Sequence, residues 1–121
     1  MNRKALTVVA SAFAVMLFAA PPLALAHHGW SSYDTEKVFT ITAPILELRY
    51  QNPHGELVME SAGKRWLVIL APTSRMQARG LPVADLALGT TVTVEGYPSK
   101  VNESEMRAER ITIDGKTYEM R

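Results

Sequence analysis

The chain contains no cysteine. That absence excludes a disulfide scaffold, a thiolate zinc finger, a redox Cys pair, a Cys nucleophile and a lipid-anchored Cys. An excess of one charge sign is also missing: 13 Lys and Arg stand against 12 Asp and Glu, a formal net charge of +1, and like charges form no block. A nucleic-acid partner, which needs clustered cations to displace phosphate counterions, is therefore not expected. Histidine is scarce at three residues, so metal or acid–base chemistry has few places to be. Ser31, Ser32 and Ser74 have no evident His–acid pairing, and neither a Gly-x-Ser-x-Gly elbow nor a phosphate loop occurs, so no enzyme is expected. With 121 residues and no internal repeat, the chain has material for one small domain.

The N-terminus has the layout of an export signal. Arg3 and Lys4 form a short basic start, residues 5–20 are nearly all apolar, Pro21-Pro22 breaks the run, and Ala24-Leu25-Ala26 offers small residues for cleavage after Ala26. A retained membrane anchor is the alternative, but the run is short and proline-interrupted for a span. Cleavage removes 26 of 121 residues, leaving 95, and two of the 13 basic residues, leaving a net charge of −1. The expected product is periplasmic or secreted, monomeric and free of the membrane.

The remainder reads as a lead-in at residues 27–37 followed by an all-β domain at 38–121. Residues 38–50 form one long apolar-rich strand whose phase flips near Ala43-Pro44, as at a bulge. Asn52-Pro53 turns the chain. Residues 56–61 and 64–70 pair through a tight Ala62-Gly63 hairpin. Trp66, Val68 and Leu70 alternate with Leu67 and Ile69, so this strand is apolar on both faces and belongs in the centre. Ser74 and Gln77 have capping-box spacing for a short helix that Gly80 can stop. Residues 90–97 alternate, with Val92 and Val94 inward. Residues 107–114 form a strand with a second phase flip between Ala108 and Ile111, and Asp114-Gly115 turns into a short final strand. This order predicts an OB-like barrel of five to six strands, with one short helix between the third and fourth. An open β-sandwich is the alternative.

Cleavage after Ala26 would make His27 the terminal residue. Its α-amine and imidazole can then chelate one metal, and a third nitrogen completes a planar set suited to Cu(II). The amine, with an ordinary pKa of about 7.7–8.0, yields its proton readily to a metal at neutral pH. The third nitrogen comes either from His28, in a local chelate that needs no fold, or from His54, in the Asn52-Pro53-His54 turn. Asp34, Glu56 or a tyrosine hydroxyl could accept from the free ring nitrogen. A His pair after a cleavage site is also the composition of a solvated tail, and His54 that of an ordinary turn. Met59, Met76, Met106 and Met120 fit core filling better than a Cu(I) thioether cluster. Trp30 and Tyr33 either shield a metal or anchor the lead-in. The expected function is copper carriage, storage or sensing through His27, His28 and His54. The alternative is a non-metal binding module whose barrel face takes a peptide, a glycan or a protein.

His27-His28-Gly29-Trp30, Asn52-Pro53-His54 and Val92-Thr93-Val94-Glu95-Gly96-Tyr97 together carry a resemblance. The chain resembles an uncharacterised family of small secreted proteobacterial proteins, a domain of unknown function, over residues 27 to about 115. The resemblance implies a small OB-like barrel and a single functional set of His27, His28 and His54. Two positions depart from it. Pro44 stands where relatives carry a small or β-branched residue, and Gly55 follows His54 where they carry a bulkier one, which is expected to loosen the turn.

Overall fold

The computed structural model describes residues 29–121. The expected signal segment, His27 and His28 lie outside the described residues. Seven strands follow in order: β1 (Phe39–Pro44), β2 (Glu47–Arg49), β3 (Glu56–Ser61), β4 (Lys64–Ile69), β5 (Thr91–Pro98), β6 (Glu105–Ile113) and β7 (Lys116–Glu119). One short helix, α1 (Thr73–Ala78), sits between β4 and β5. No described helix is long and apolar enough to cross a membrane.

The strands form one sheet in the order β1-β5-β6-β4-β3-β2, with β7 added to β6. Every pairing is antiparallel except β4 with β6. The expected five to six strands are therefore seven, and the hydrogen-bonded path is not a closed ring. Two residues account for the extra strand: the long first strand is interrupted at Ile45-Leu46, and its halves pair with different partners. Ile45 N donates to Thr90 O while Leu46 N donates to Val58 O, so the chain passes from β5 to β3 at this joint. The inward series runs Ile41, Ala43, Ile45 without a flip at Pro44, and the phase changes only after Ile45.

Alternation explains the core. Ile41 and Ala43, Val92 and Val94, Leu57 and Met59, Val68, Met106 and Ala108 share one face and are almost fully buried. The four methionines expected to fill the core do so, each at 0% exposure. β4 is central, between β3 and β6, and buries Val68 and Ile69 on opposite faces, as its two-sided apolar pattern predicts. Both hairpin turns place two consecutive residues at positive φ: Ala62 and Gly63 at 52° and 76°, Asp114 and Gly115 at 50° and 76°. That is the type I′ geometry whose twist matches paired strands.

The α1 helix starts differently from its expected cap. Its N-cap is Pro72, with no side-chain hydrogen bond, so the Ser74–Gln77 box does not form. Its end is as expected: Gly80 N donates to Gln77 O, Leu81 N to Met76 O, and Gly80 adopts φ 80°. This is a Schellman close, with buried Met76 and Leu81 as its apolar contact.

Candidate functional site

One face of β6 is unusual. Its outward residues Glu105 and Arg107 are only 8% and 4% exposed. Two features of the chain put them under cover. A bulge opposite Glu95/Gly96 pairs Glu95 with Arg110 and Gly96 with Ala108, leaving Glu109 as the extra residue. This is the second phase flip expected from the sequence. The lead-in then crosses the face: Tyr33 bridges Ser99, Asp34 N donates to Pro98 O, and Lys100 N donates to Ser32 O.

The lead-in aromatics are anchors. Tyr33 is 2% exposed, and its hydroxyl interacts with both Glu105 and Arg107. Burial, reinforced by the Glu105 charge, pushes the phenol up to about 12. The Trp30 ring meets Tyr97 edge-on at 6.1 Å. It also packs against two cations, with the guanidinium carbon of Arg107 4.8 Å and that of Arg121 4.4 Å from the ring centre. Burial lowers the Arg107 pKa from its ordinary value, and Tyr33 partly restores it. The Nε and Nη1 of Arg107 and the Oε2 of Glu109 are buried without hydrogen-bond partners. Arg121 Nη1 stands 3.9 Å from that Glu109 oxygen.

The same row of neighbours reaches Glu56, two residues after His54. Tyr97, Arg107, Ile69 and Glu56 are successive cross-strand partners on β5, β6, β4 and β3, so they share one face. His54 precedes Glu56 by two residues and is half-buried, with its Nδ1 shielded from solvent. Its turn is well tied. Gly55 N donates to Ala71 O, Leu70 N donates to Gly55 O, and Thr73 Oγ1 donates to Asn52 Oδ1. Gly55 is buried, and a Cβ there would lie 2.6 Å from Met76 Cε. The glycine therefore admits Met76 into the core and does not loosen the turn.

Among the described residues no group of three or more His, Asp or Glu is placed to hold a metal. His54 is the one expected ligand within them. Asp34 is engaged elsewhere, its Oδ1 accepting from Glu36 N and its Oδ2 lying 3.5 Å from Lys37 Nζ. A cleft of about 400 Å³ crosses β2, β3 and β4 and takes in Glu56 from the cross-strand row, with Val58 and Leu67 among its lining and Glu47 and Arg49 around it. Arg49 Nη1 lies 3.4 Å from Glu56 Oε2, and Arg65 Nη2 lies 3.5 Å from Glu47 Oε2. These are weak exposed pairs, whereas Arg110 makes part-buried hydrogen bonds to both Glu95 and Glu119.

Sequence reasoning missed Arg107 and Glu105. Their alternation with Met106 and Ala108 was visible, but it reads as a solvated face. Only Trp30 and Tyr33, far upstream in the chain, convert it into a buried one. No curated protein matches the chain. The family DUF6152, a family of unknown function, matches residues 14–107, and the chain belongs to it.

Proposed function

We propose that this member of DUF6152 is an exported metal-binding protein, periplasmic or secreted, that takes Cu(II) at a processed N-terminus for carriage, storage or sensing. His27 supplies its α-amine and imidazole, and His54 or His28 supplies the third nitrogen. The observation that carries this reading is the cross-strand row. Trp30 packs on Tyr97 and Arg107 at one end, and Glu56, next to the His54 turn, stands at the other. Arg107 and Glu56 are two strand spacings apart, roughly 10 Å. His28 precedes Trp30 by two residues, a reach of up to about 7 Å. An anchor at Trp30, in a row that reaches Glu56 two residues after His54, supports a lead-in that extends toward the His54 turn. A nitrogen-only donor set at these positions suits Cu(II) over harder cations.

The fold that accompanies this reading is an OB-like barrel. Its support is the Ile45-Leu46 joint: β1 and β2 stand at opposite ends of the strand path but are separated by two residues, and the joint bonds to β5 on one side and β3 on the other. A second reading, a non-metal binding module, is favoured by the cleft across β2, β3 and β4.

Copper titration separates these readings. The protein beginning at His27, verified by intact mass, is expected to bind one Cu(II) with nitrogen hyperfine coupling in its EPR spectrum. The protein retaining residues 1–26 has an amide in place of the amine and is expected to bind far more weakly. His54→Ala is expected to lose most of the affinity if the turn supplies the third nitrogen, whereas His28→Ala does so if the chelate is local. Equal binding by the processed and extended proteins overturns the reading. Ligand binding in the cleft that persists in a triple His→Ala variant supports the second.

A further inference from the structure

Arg107 is 4% exposed, yet two of its nitrogens, Nε and Nη1, have no hydrogen-bond partner. A guanidinium carries five donors, and buried donors left unmet are rare and costly. Its immediate surroundings are rich in the same charge. Arg121 shares the Trp30 ring with it, and Arg75 is close enough to oppose its charge. Three guanidiniums thus gather beside Glu105 and Glu109. Glu105 is engaged with Tyr33, and Glu109 turns a buried, unbonded oxygen toward Arg121 at 3.9 Å.

We propose that Arg107, Arg121 and Arg75 form a seat for a small oxyanion, a phosphate or a carboxylate, with Trp30 as its cover. Arg75 and Arg121 are exposed and draw an anion toward the buried guanidinium. Trp30 is held over Arg107 by a three-residue 3-10 turn that lacks a side-chain cap and follows Gly29 at φ 41°. It contributes only cation–π contacts to the two guanidiniums. An oxyanion that displaces the ring replaces these with charge-assisted hydrogen bonds to donors that otherwise have none. The seat uses no histidine, so it can be tested without the metal.

The test uses the metal-free protein at constant ionic strength, titrated with sodium phosphate, with sodium acetate, and with sodium chloride as the control. Trp66→Phe makes Trp30 the sole tryptophan reporter. Phosphate or acetate is expected to raise the melting temperature saturably and to shift Trp30 emission, while chloride does neither; the more effective anion identifies the class. Arg107→Met is expected to abolish both responses, and Arg107→Lys to weaken them. Arg121→Gln, at an exposed side chain, keeps the test decisive if Arg107→Met does not fold, with an expected loss of about tenfold in affinity. No saturable response to either anion, or equal responses in the wild type and Arg121→Gln, overturns the proposal.

Discussion

Gly96→Ala is the substitution to which the fold is most exposed. A Cβ built at Gly96 would lie 2.0 Å from the Arg107 carbonyl oxygen, 2.8 Å from its carbonyl carbon and 2.9 Å from Ala108 Cα. Even close C–H···O contacts keep carbon and oxygen about 3.3 Å apart, so the gap must open by more than 1 Å. The obstructing atoms are backbone, and β6 is held to β5, β4 and β7, so they cannot swing aside. Opening the gap stretches ladder hydrogen bonds beyond useful range, at about 0.5–1.5 kcal/mol each. Overpacking strain adds about 1–3 kcal/mol. The expected loss is about 3–5 kcal/mol, which in a domain of this size lowers Tm by at least roughly 12 °C. Gly55→Ala is the internal control. Its Cβ would clash with Met76 Cε, at 2.6 Å, the movable end of a flexible side chain, and would make ordinary contacts of 3.7 Å with Leu70. Its expected cost is about 1–2 kcal/mol. Thermal and urea unfolding followed by circular dichroism measure both. A Gly96→Ala protein melting within a few degrees of wild type, or no less stable than Gly55→Ala, refutes the close-approach account of the bulge.

Met59→Ala, at a side chain with 0% exposure, is expected to lose about 2–5 kcal/mol in urea unfolding without altering Trp30 emission in the folded state. Ala62→Gly or Ala62→Asn is expected to stabilise by up to about 1 kcal/mol, because Ala62 holds φ 52° in the hairpin turn. The phenol of Tyr33 is raised from 10.0 to about 12 in the folded protein, so the folded state favours the protonated form. Its contribution to stability is complete below pH 10 and is lost as pH rises from 10 toward 12. Ultraviolet titration of phenolate absorbance should therefore show a late-ionising tyrosine that is absent in Tyr33→Phe.

Much of the strand pattern was legible because it depends on neighbours in the chain. Val92 and Val94 alternate with Thr91 and Thr93, and the bulge in β6 shows as a broken phase between Ala108 and Ile111. The Ala62-Gly63 and Asp114-Gly115 turns carry their own chemistry. The helix cap was misread because Ser74 competes with Pro72, whose fixed backbone already starts the turn. Gly55 looked like slack in the His54 turn, whereas contact with Met76, 21 positions away, makes it a packing requirement. The candidate site was legible only in its parts. His54 and the lead-in aromatics stood out by residue type, but nothing local joins them.

Periodicity, turns and most of the core could be read along the chain, since these follow from backbone preference and from alternation of apolar side chains over a few residues. Long-range packing alone put Trp30 and Tyr33 over Arg107, divided the first strand's pairing between β5 and β3, and aligned Tyr97, Arg107, Ile69 and Glu56 in one cross-strand row. Each depends on pairings between segments far apart in the chain. Such pairings are selected by the free energy of the whole packed sheet, which no short stretch of residues contains.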